Sequence, residues 1–321
     1  MSTIKQVAEL TGLSVSCVSK YLNHPNNVLP ETKAKIDKAI KTLNYCPSPI
    51  ARSLRTKRTG IIVIVTESII NPFFAELFDS LRHEFQKIGY KAILKTLSGQ
   101  KFSSEDFSFA DGIVICFPND ESNISKIEMV SQNIPKILIH GRKIDTYNNI
   151  VYCDIGNGSK LAAEHLYNKG CRKFLLVCGL NNSSMSNKKS NAVLSFLEST
   201  KEETTCFSIY GSNDYYGGEK AITTIVDSLK NIDGIICESD ALATGVISKL
   251  LSLNVSIPDD IKIVGFDNIP IAHMFHPALT TISIPIKEMC IETVTQTARI
   301  LNDKEVSFAS FNPQLIIRQT T

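Results

Sequence analysis

The sequence predicts two fold classes in one chain. An N-terminal all-α helix-turn-helix headpiece with a hinge helix precedes an α/β core of two doubly wound parallel-sheet lobes. The first sixty residues are basic and carry two short helical periods split by Gly12, with a third behind them. From Gly60 onward, strand-sized apolar runs alternate with amphipathic helical periods. A length of 321 residues, 43% hydrophobic and 21% charged, suits two or three packed globular units.

Residues 1–60 hold ten Lys/Arg against Glu9, Glu31 and Asp37, a net of +7, which leaves −5 on the remainder. Such a basic segment on an acidic body is the charge pattern of a nucleic-acid arm, or of a solvated Lys-rich helix face. "MSTIKQVAEL" lacks the basic-then-apolar pattern of a signal peptide, and runs such as "IIVIV" are far too short to span a bilayer. Nine cysteines without a C-x-x-C pair fit reduced thiols, so a cytoplasmic location is expected.

Thr3 and Gln6 form a capping-box pattern, and Ile4, Val7, Ala8 and Thr11 follow a helical period. Gly12 stops that helix, Ser14 is a natural N-cap for the next, and Val18 with Leu22 gives it an inward stripe. Pro30 suits the first turn of a third helix, in which Ile36, Ile40 and Leu43 recur on one face. The second helix opens on small polar residues: Ser14, Val15, Ser16 and Cys17, then Ser19 and Lys20. Small side chains let a backbone approach base edges in a major groove, hydroxyls donate or accept, and a basic residue one turn on reaches guanine or phosphate. A protein-binding three-helix bundle is the other reading of the same spacing.

The stretch "TIKQVAELTGLSVSCVSKYLN", continued by "ETKAKIDKAIKTLNYCPSPIARSLR", resembles the DNA-binding headpiece of the LacI-type family of lactose, galactose and purine repressors. The resemblance implies base reading by Val15, Ser16 and Lys20, and phosphate or groove contacts near Thr3, Ser14, Ser19 and Asn23. It also makes "NYCPSPIARSLR" a hinge. Ser48 is then an N-cap and Pro49 the first helical residue. The turn is too short to be stable alone and is expected to be helical when paired with its dimer mate in the minor groove. Leu54 would be an apolar wedge at a central base step, with Arg52, Arg55 and Lys57 on the flanking backbone. A disordered basic tether is the alternative. The domain reading is 1–46 headpiece, 47–59 hinge and linker, and 60–321 core.

In the core, strands are expected at 61–67, 91–97, 112–117, 136–140, 173–179, 206–211, 234–238 and 261–267. Helices are expected over 71–89, with Phe74, Leu77, Leu81, Phe85 and Ile88 on one face, and near 122–132, 161–170, 187–199, 215–230 and 240–253. Alternating βα units argue for parallel sheets covered by helices on both faces. The resemblance extends through "NPFFAEL", "SDALATGV" and "PDDIKIVGFDN", and implies a periplasmic-binding-protein-like core crossed three times, near 154–157, 281–285 and 311–313. The first lobe is then 61–155 plus 284–311, and the second 156–282 plus 312–321. The segment 99–109 has about half the helix expected of relatives, with Ser and Asp in place of an apolar stripe, and predicts an irregular edge.

By the same resemblance an effector cleft is lined by Phe73 and Phe74, one facing the cleft and one the core. Lys189 stands where an effector-binding Arg is common, and Asp267 where a carboxylate accepts effector hydroxyls or amines. A strand-end cap is the competing role for Asp267. Asn213 and Asp240 fall on cleft-edge loops, and His140 where relatives often carry Asp. "GNGSKL" lacks the third glycine of a dinucleotide fingerprint, His273 and His276 lack a third metal ligand, and no nucleophile motif or phosphate loop is present. No enzyme activity, cofactor or metal is therefore expected. The expected function is a dimeric repressor on a pseudo-palindromic double-stranded DNA operator, controlled by a small effector, with a sugar or sugar phosphate favoured. A nucleobase, a nucleoside or a protein co-effector, or a solute-binding module without regulation, remain as other readings, and induction and co-repression are both open.

Overall fold

Thr3 caps the first helix as its spacing predicts. Its Oγ1 accepts from Gln6 N, and Gln6 Oε1 accepts from Thr3 N at 2.8 Å. The computed structural model describes residues 2–23, 27–46, 53, 56–97, 101–180 and 183–321, and separates into two units, 1–60 and 61–321. In the first, α1 (Ile4–Thr11) ends at Gly12, whose φ of 69° closes the helix in the left-handed region. Leu13 then turns the chain into α2 (Val15–Asn23), and α3 (Pro30–Thr42) follows. Val7, Ala8, Val18, Tyr21, Ile36 and Ala39 form the core of this unit. Tyr21 was not part of the expected stripe; its hydroxyl donates to Asp37 at 2.5 Å and ties α2 to α3. Ser48, Arg52, Leu54 and Arg55 of the expected hinge lie outside the described residues, as does the side chain of Asn23. Lys57 is exposed, with a φ of 54°.

The second unit holds two six-stranded sheets. The first contains β1 (Ile61–Thr66), β2 (Lys91–Thr96), β3 (Gly112–Cys116), β4 (Lys136–His140), β5 (Ile150–Cys153) and β11 (Ala309–Phe311), in the order β11-β5-β4-β3-β1-β2. The second contains β6 (Lys173–Cys178), β7 (Thr205–Tyr210), β8 (Gly234–Cys237), β9 (Lys262–Asp267), β10 (Thr280–Ser283) and β12 (Gln314–Ile316), in the order β12-β10-β9-β8-β6-β7. All pairings are parallel except β10 with β12. In each sheet the strand order reverses once near the centre, between β1 and β3 and between β6 and β8. At such a switch point the connections leave in opposite directions and a crevice opens beyond the strand C-termini.

The helices of this unit are α4 (Pro72–Lys87), α5 (Ser122–Val130), α6 (Ile155–Asn168), α7 (Ser184–Glu198), α8 (Tyr215–Thr224), α9 (Asp240–Ser252), α10 (Ile271–Met274) and α11 (Ile286–Ile300). Strand alternation sends Ile62 and Ile64 to one face and Val63 and Val65 to the other, so each layer has its own apolar cluster. The chain passes between the sheets at 154, 284–285 and 312–313, where β5 leads to α6, β10 to α11 and β11 to β12.

Three expectations differ in detail. The buried stripe of α4 is Phe73, Leu77, Leu81 and Phe85, while Phe74 is half-buried and Ile88 exposed beyond the helix end. The expected helix 215–230 ends at Thr224 and continues as a 3-10 segment, Val226–Asn231. A β-branched run, Thr223 to Val226, meets it there, and both threonine hydroxyls bond back to carbonyls four residues earlier. The segment before β3 is indeed irregular, a single 3-10 turn at Ser104–Asp106, yet it is not without apolar anchors. Phe107 is fully buried against the sheet and edge-on to Phe102, a pairing that helical spacing does not reveal. Asp106 is held by Lys95 at 2.6 Å, which lowers its carboxyl to about 2.

Candidate effector cavity and nucleic-acid interface

The N-terminus of α2 presents the small residues that the sequence singles out. Ser14 Oγ accepts from Cys17 N at 3.2 Å and shares a hydrogen with Ser16 Oγ at 2.8 Å. Ser14, Val15, Ser16 and Lys20 are exposed, Val15 unusually so for its type, while Cys17 and Ser19 are half-buried. Val18 and Tyr21 point the other way, into the headpiece core. Helical periodicity thus divides α2 into an anchoring face and a free face of hydroxyls, one methyl-bearing side chain and one ammonium. Thr3 is exposed beside the α1 cap.

Between the two sheets of the core lies a cavity of about 60 Å³, with room for a few waters. Its walls come from the C-terminal ends of strands of both sheets, from the turns and linkers after them and from the first turns of α7. Phe73, Phe74 and Phe117 form one wall, with Phe73 edge-on to each of the other two rings at 5.4 Å. Asn71 and Asn119 add amides from the same lobe, and Met185, Lys189, Asn213, Glu238 and Asp267 face them from the other. Phe73 and Phe74 both reach the cavity, but Phe73 is also 5% exposed and packed in the core, so the expected division between them is one of degree.

Asp267 is the least ordinary of these residues. It ends β9 with a φ of 108°, and Asn268 follows at 61°. Non-glycine residues pay strain in that region and keep it where surroundings enforce it. Burial pushes its carboxyl well up, against the pull of the Lys189 ammonium. No described residue hydrogen-bonds that carboxyl, so it faces the cavity with its polar capacity unused. Lys189 is already engaged: its Nζ donates to Glu238 O at 2.6 Å and lies 3.7 Å from the centre of the Phe266 ring. Glu238 accepts from Gly179 N at 2.8 Å and from Ser186 Oγ at 2.6 Å, and Asn213 Oδ1 accepts from Ser239 Oγ.

Two expected residues stand behind the walls instead of on them. His140 is the last residue of β4, and alternation turns it away from Ile139, which faces the inner cluster. Its Nδ1 accepts from Arg142 N, and burial with the neighbouring Arg142 charge pushes the ring down to about 4. Asp240, fully buried at the start of α9, accepts from Ile269 N at 2.9 Å and Thr281 Oγ1 at 2.5 Å, and burial pushes it up to about 7. It fastens the loops after β8 and β9 to β10. Asn71, Phe117, Asn119, Met185 and Glu238 escaped sequence reasoning; all but Met185, on the first turn of α7, lie within five residues of a strand C-terminus. Among the described residues no His, Cys, Asp and Glu group could hold a metal ion, and no helix is long and apolar enough to cross a membrane.

A model described as "Bacterial regulatory proteins, lacI family" matches residues 3–48, and one described as "Periplasmic binding protein-like domain" matches residues 163–321. The ribose operon repressor of Lactococcus lactis subsp. lactis is 30% identical over 314 residues, 95% of this chain and 93% of its own. The chain belongs to the LacI family. The HTH-type transcriptional repressor PurR of Photorhabdus laumondii is 30% identical over 336 residues, covering 100% of this chain and 97% of its own. The lac repressor bound to ONPG superimposes with a TM-score of 0.86 at 20% identity, over 100% of this chain and 99% of that one, which shows the shared LacI-family fold. This is a family of transcriptional regulators rather than enzymes.

Proposed function

We propose that this LacI-family chain is a repressor that binds a pseudo-palindromic operator as a homodimer and releases or grips it according to a small uncharged polyhydroxyl effector in the interlobe cavity. The unused carboxyl of Asp267, held on a strained backbone, carries the effector reading: a buried acid without a partner is stabilised by a ligand hydroxyl. Three amides, Asn71, Asn119 and Asn213, supply further donors and acceptors, and the phenylalanine wall suits the apolar face of a sugar ring. A phosphate finds little here. The one ammonium is committed to a carbonyl and a ring, and Glu238 and Asp267 stand beside it. The ribose operon repressor among the relatives agrees with a sugar. A nucleobase is the second reading, favoured by the three rings and by PurR.

On DNA, the exposed face at the start of α2 supports Val15, Ser16 and Lys20 as base readers, while Cys17 as a close-approach residue and Thr3, Ser14, Ser19 and Asn23 as backbone contacts rest on the family resemblance. The hinge reading, with Leu54 as minor-groove wedge between Ser48, Arg52, Arg55 and Lys57, rests on sequence. Residue 60 leads directly into β1 of the first sheet, so a change between the lobes would pass to the hinge. The domain division is taken as 1–46, 47–59 and 60–321. A thermal-shift panel of D-ribose, ribose 5-phosphate, adenosine and hypoxanthine, followed by operator titration with each hit, tests the proposal. Stabilisation by a neutral sugar that Asp267→Asn weakens about tenfold or more is expected. A phosphorylated or purine hit alone would overturn the neutral-sugar reading, and equal affinity for operator and random duplex would overturn the regulator reading.

A further inference from the structure

One carboxylate at the end of β8 holds together the second lobe's wall of the cavity. Glu238 follows Cys237, its N–H donates to Val177 O in β6 at 3.0 Å, and its side chain lines the cavity. Both carboxylate oxygens accept. Oε2 takes the main-chain N–H of Gly179, just after β6, at 2.8 Å, and Oε1 takes the hydroxyl of Ser186, in the first turn of α7, at 2.6 Å. One turn further along α7, Lys189 gives its ammonium to the main-chain carbonyl of the same Glu238 at 2.6 Å. Glycine at 179 lets this set close, since a Cβ there would stand 3.2 Å from Asn213 Cβ and 3.4 Å from Glu238 Oε2. A main-chain N–H, a hydroxyl and a nearby ammonium are what a protein offers to the carboxylate or phosphate of a ligand. Here they hold the chain's own carboxylate.

We propose that Glu238 is a specificity-determining residue, an internal anion that occupies the donors an anionic effector group would need and so reserves the cavity for uncharged effectors. The Gly179 N–H and the Ser186 hydroxyl are both committed to it, and a second anion brought to them meets a fixed like charge. The preference for a neutral effector proposed above then has a location. The phenylalanine wall and the amides suit a ring, and Glu238 rejects a charged substituent on that ring. Glu238 has this role only if the cavity takes an effector, as proposed above. Its hold on Gly179 and Ser186 is measurable with a simple anion alone, so one reading can fail without the other.

Two substitutions separate occupation from charge. Glu238→Ala frees both donors. Glu238→Gln keeps them covered without charge, with Oε1 accepting from Gly179 N and Nε2 donating to Ser186 Oγ. Thermal unfolding midpoints of the full chain are followed against acetate and inorganic phosphate, with chloride at matched ionic strength as the reference. In Glu238→Ala both anions should raise the midpoint along a saturating curve, with an apparent affinity about tenfold or more above that of wild type. Wild type and Glu238→Gln should show only the shallow, unsaturated rise that excluded salts give any protein. Adding Ser186→Ala to Glu238→Ala should weaken the saturable response about tenfold. If Glu238→Ala lacks a cooperative transition in chloride, the return of that transition in acetate or phosphate is the same expected result. A response of Glu238→Ala equal to that of wild type, or unchanged by loss of the Ser186 hydroxyl, would overturn the assignment, as would a chain that neither anion refolds. A saturable response in Glu238→Gln equal to that in Glu238→Ala would overturn it as well, because repulsion and not occupation would then keep anions out.

Discussion

Asp240 is enclosed at the start of α9 with both oxygens accepting hydrogen bonds, and its carboxyl keeps a proton up to about pH 7. The unfolded chain gives that proton up near pH 4. Between these values the unfolded state binds fewer protons, so stability falls as pH rises from about 4 to 7. His140 acts in the opposite sense. Its folded ring protonates only near 4, while the unfolded chain takes a proton near 6.5, so stability falls as pH drops through that interval. Asp240→Asn, with Nδ2 donating to Thr281 and Oδ1 accepting from Ile269, mimics the protonated acid. We expect it to raise Tm at pH 8 and to flatten the rise toward pH 5, as followed by calorimetry across pH. Asp267 contributes a slope of the same sign that survives in this variant. His140→Gln should flatten the acid limb alone. Neither shift is legible in the sequence: the family resemblance puts His140 at the cleft, and a cleft-edge loop puts Asp240 there. Which side of a strand they face, and how deep, depends on sheet pairing.

The helices show how far periodicity reaches. The caps at Thr3 and Ser14, the glycine stop at Gly12 and the apolar spacing of α1 to α3 are local properties, and the structure has them where the sequence places them. The α8–α9 packing is of another kind. A Cβ on Gly218 would stand 2.0 Å from Leu242 O, and one on Gly245 1.9 Å from Tyr215 O, so the two backbones meet through glycine. Gly245→Ala should therefore cost about 3 kcal/mol or more, against the small gain that alanine gives in an ordinary helix interior, in urea unfolding. "SDALATGVISKL" shows a glycine inside a helical pattern, and only the neighbouring helix explains it. For the hinge, the wedge reading predicts that Leu54→Ala loses specific operator affinity by about tenfold or more while Tm stays within a degree or two. Equal losses on operator and random duplex would favour the basic tether.

At the scale of the whole molecule, charge separation is the feature that binding should report. The +7 of residues 1–60 against −5 elsewhere predicts a steep fall of operator affinity with salt. Lys20→Ala should weaken the operator more than random DNA if Lys20 reads a base. It should weaken both alike, with a salt slope smaller by about one, if Lys20 holds a phosphate. Titrations at several salt concentrations separate the two. The sequence by itself determined the helix-turn-helix, the βα alternation and the basic arm, because caps, periods and charge are set by residues a few positions apart. The resemblance to the family also marked Phe73, Phe74, Lys189 and Asp267, and Asn213 fell on a cleft-edge loop. Only the tertiary structure decided that Asn119, Glu238 and Met185 join them, and that His140 and Asp240 do not. Those residues meet because two sheets reverse strand order at facing crevices, and no pattern along the chain encodes the distance between points on different sheets.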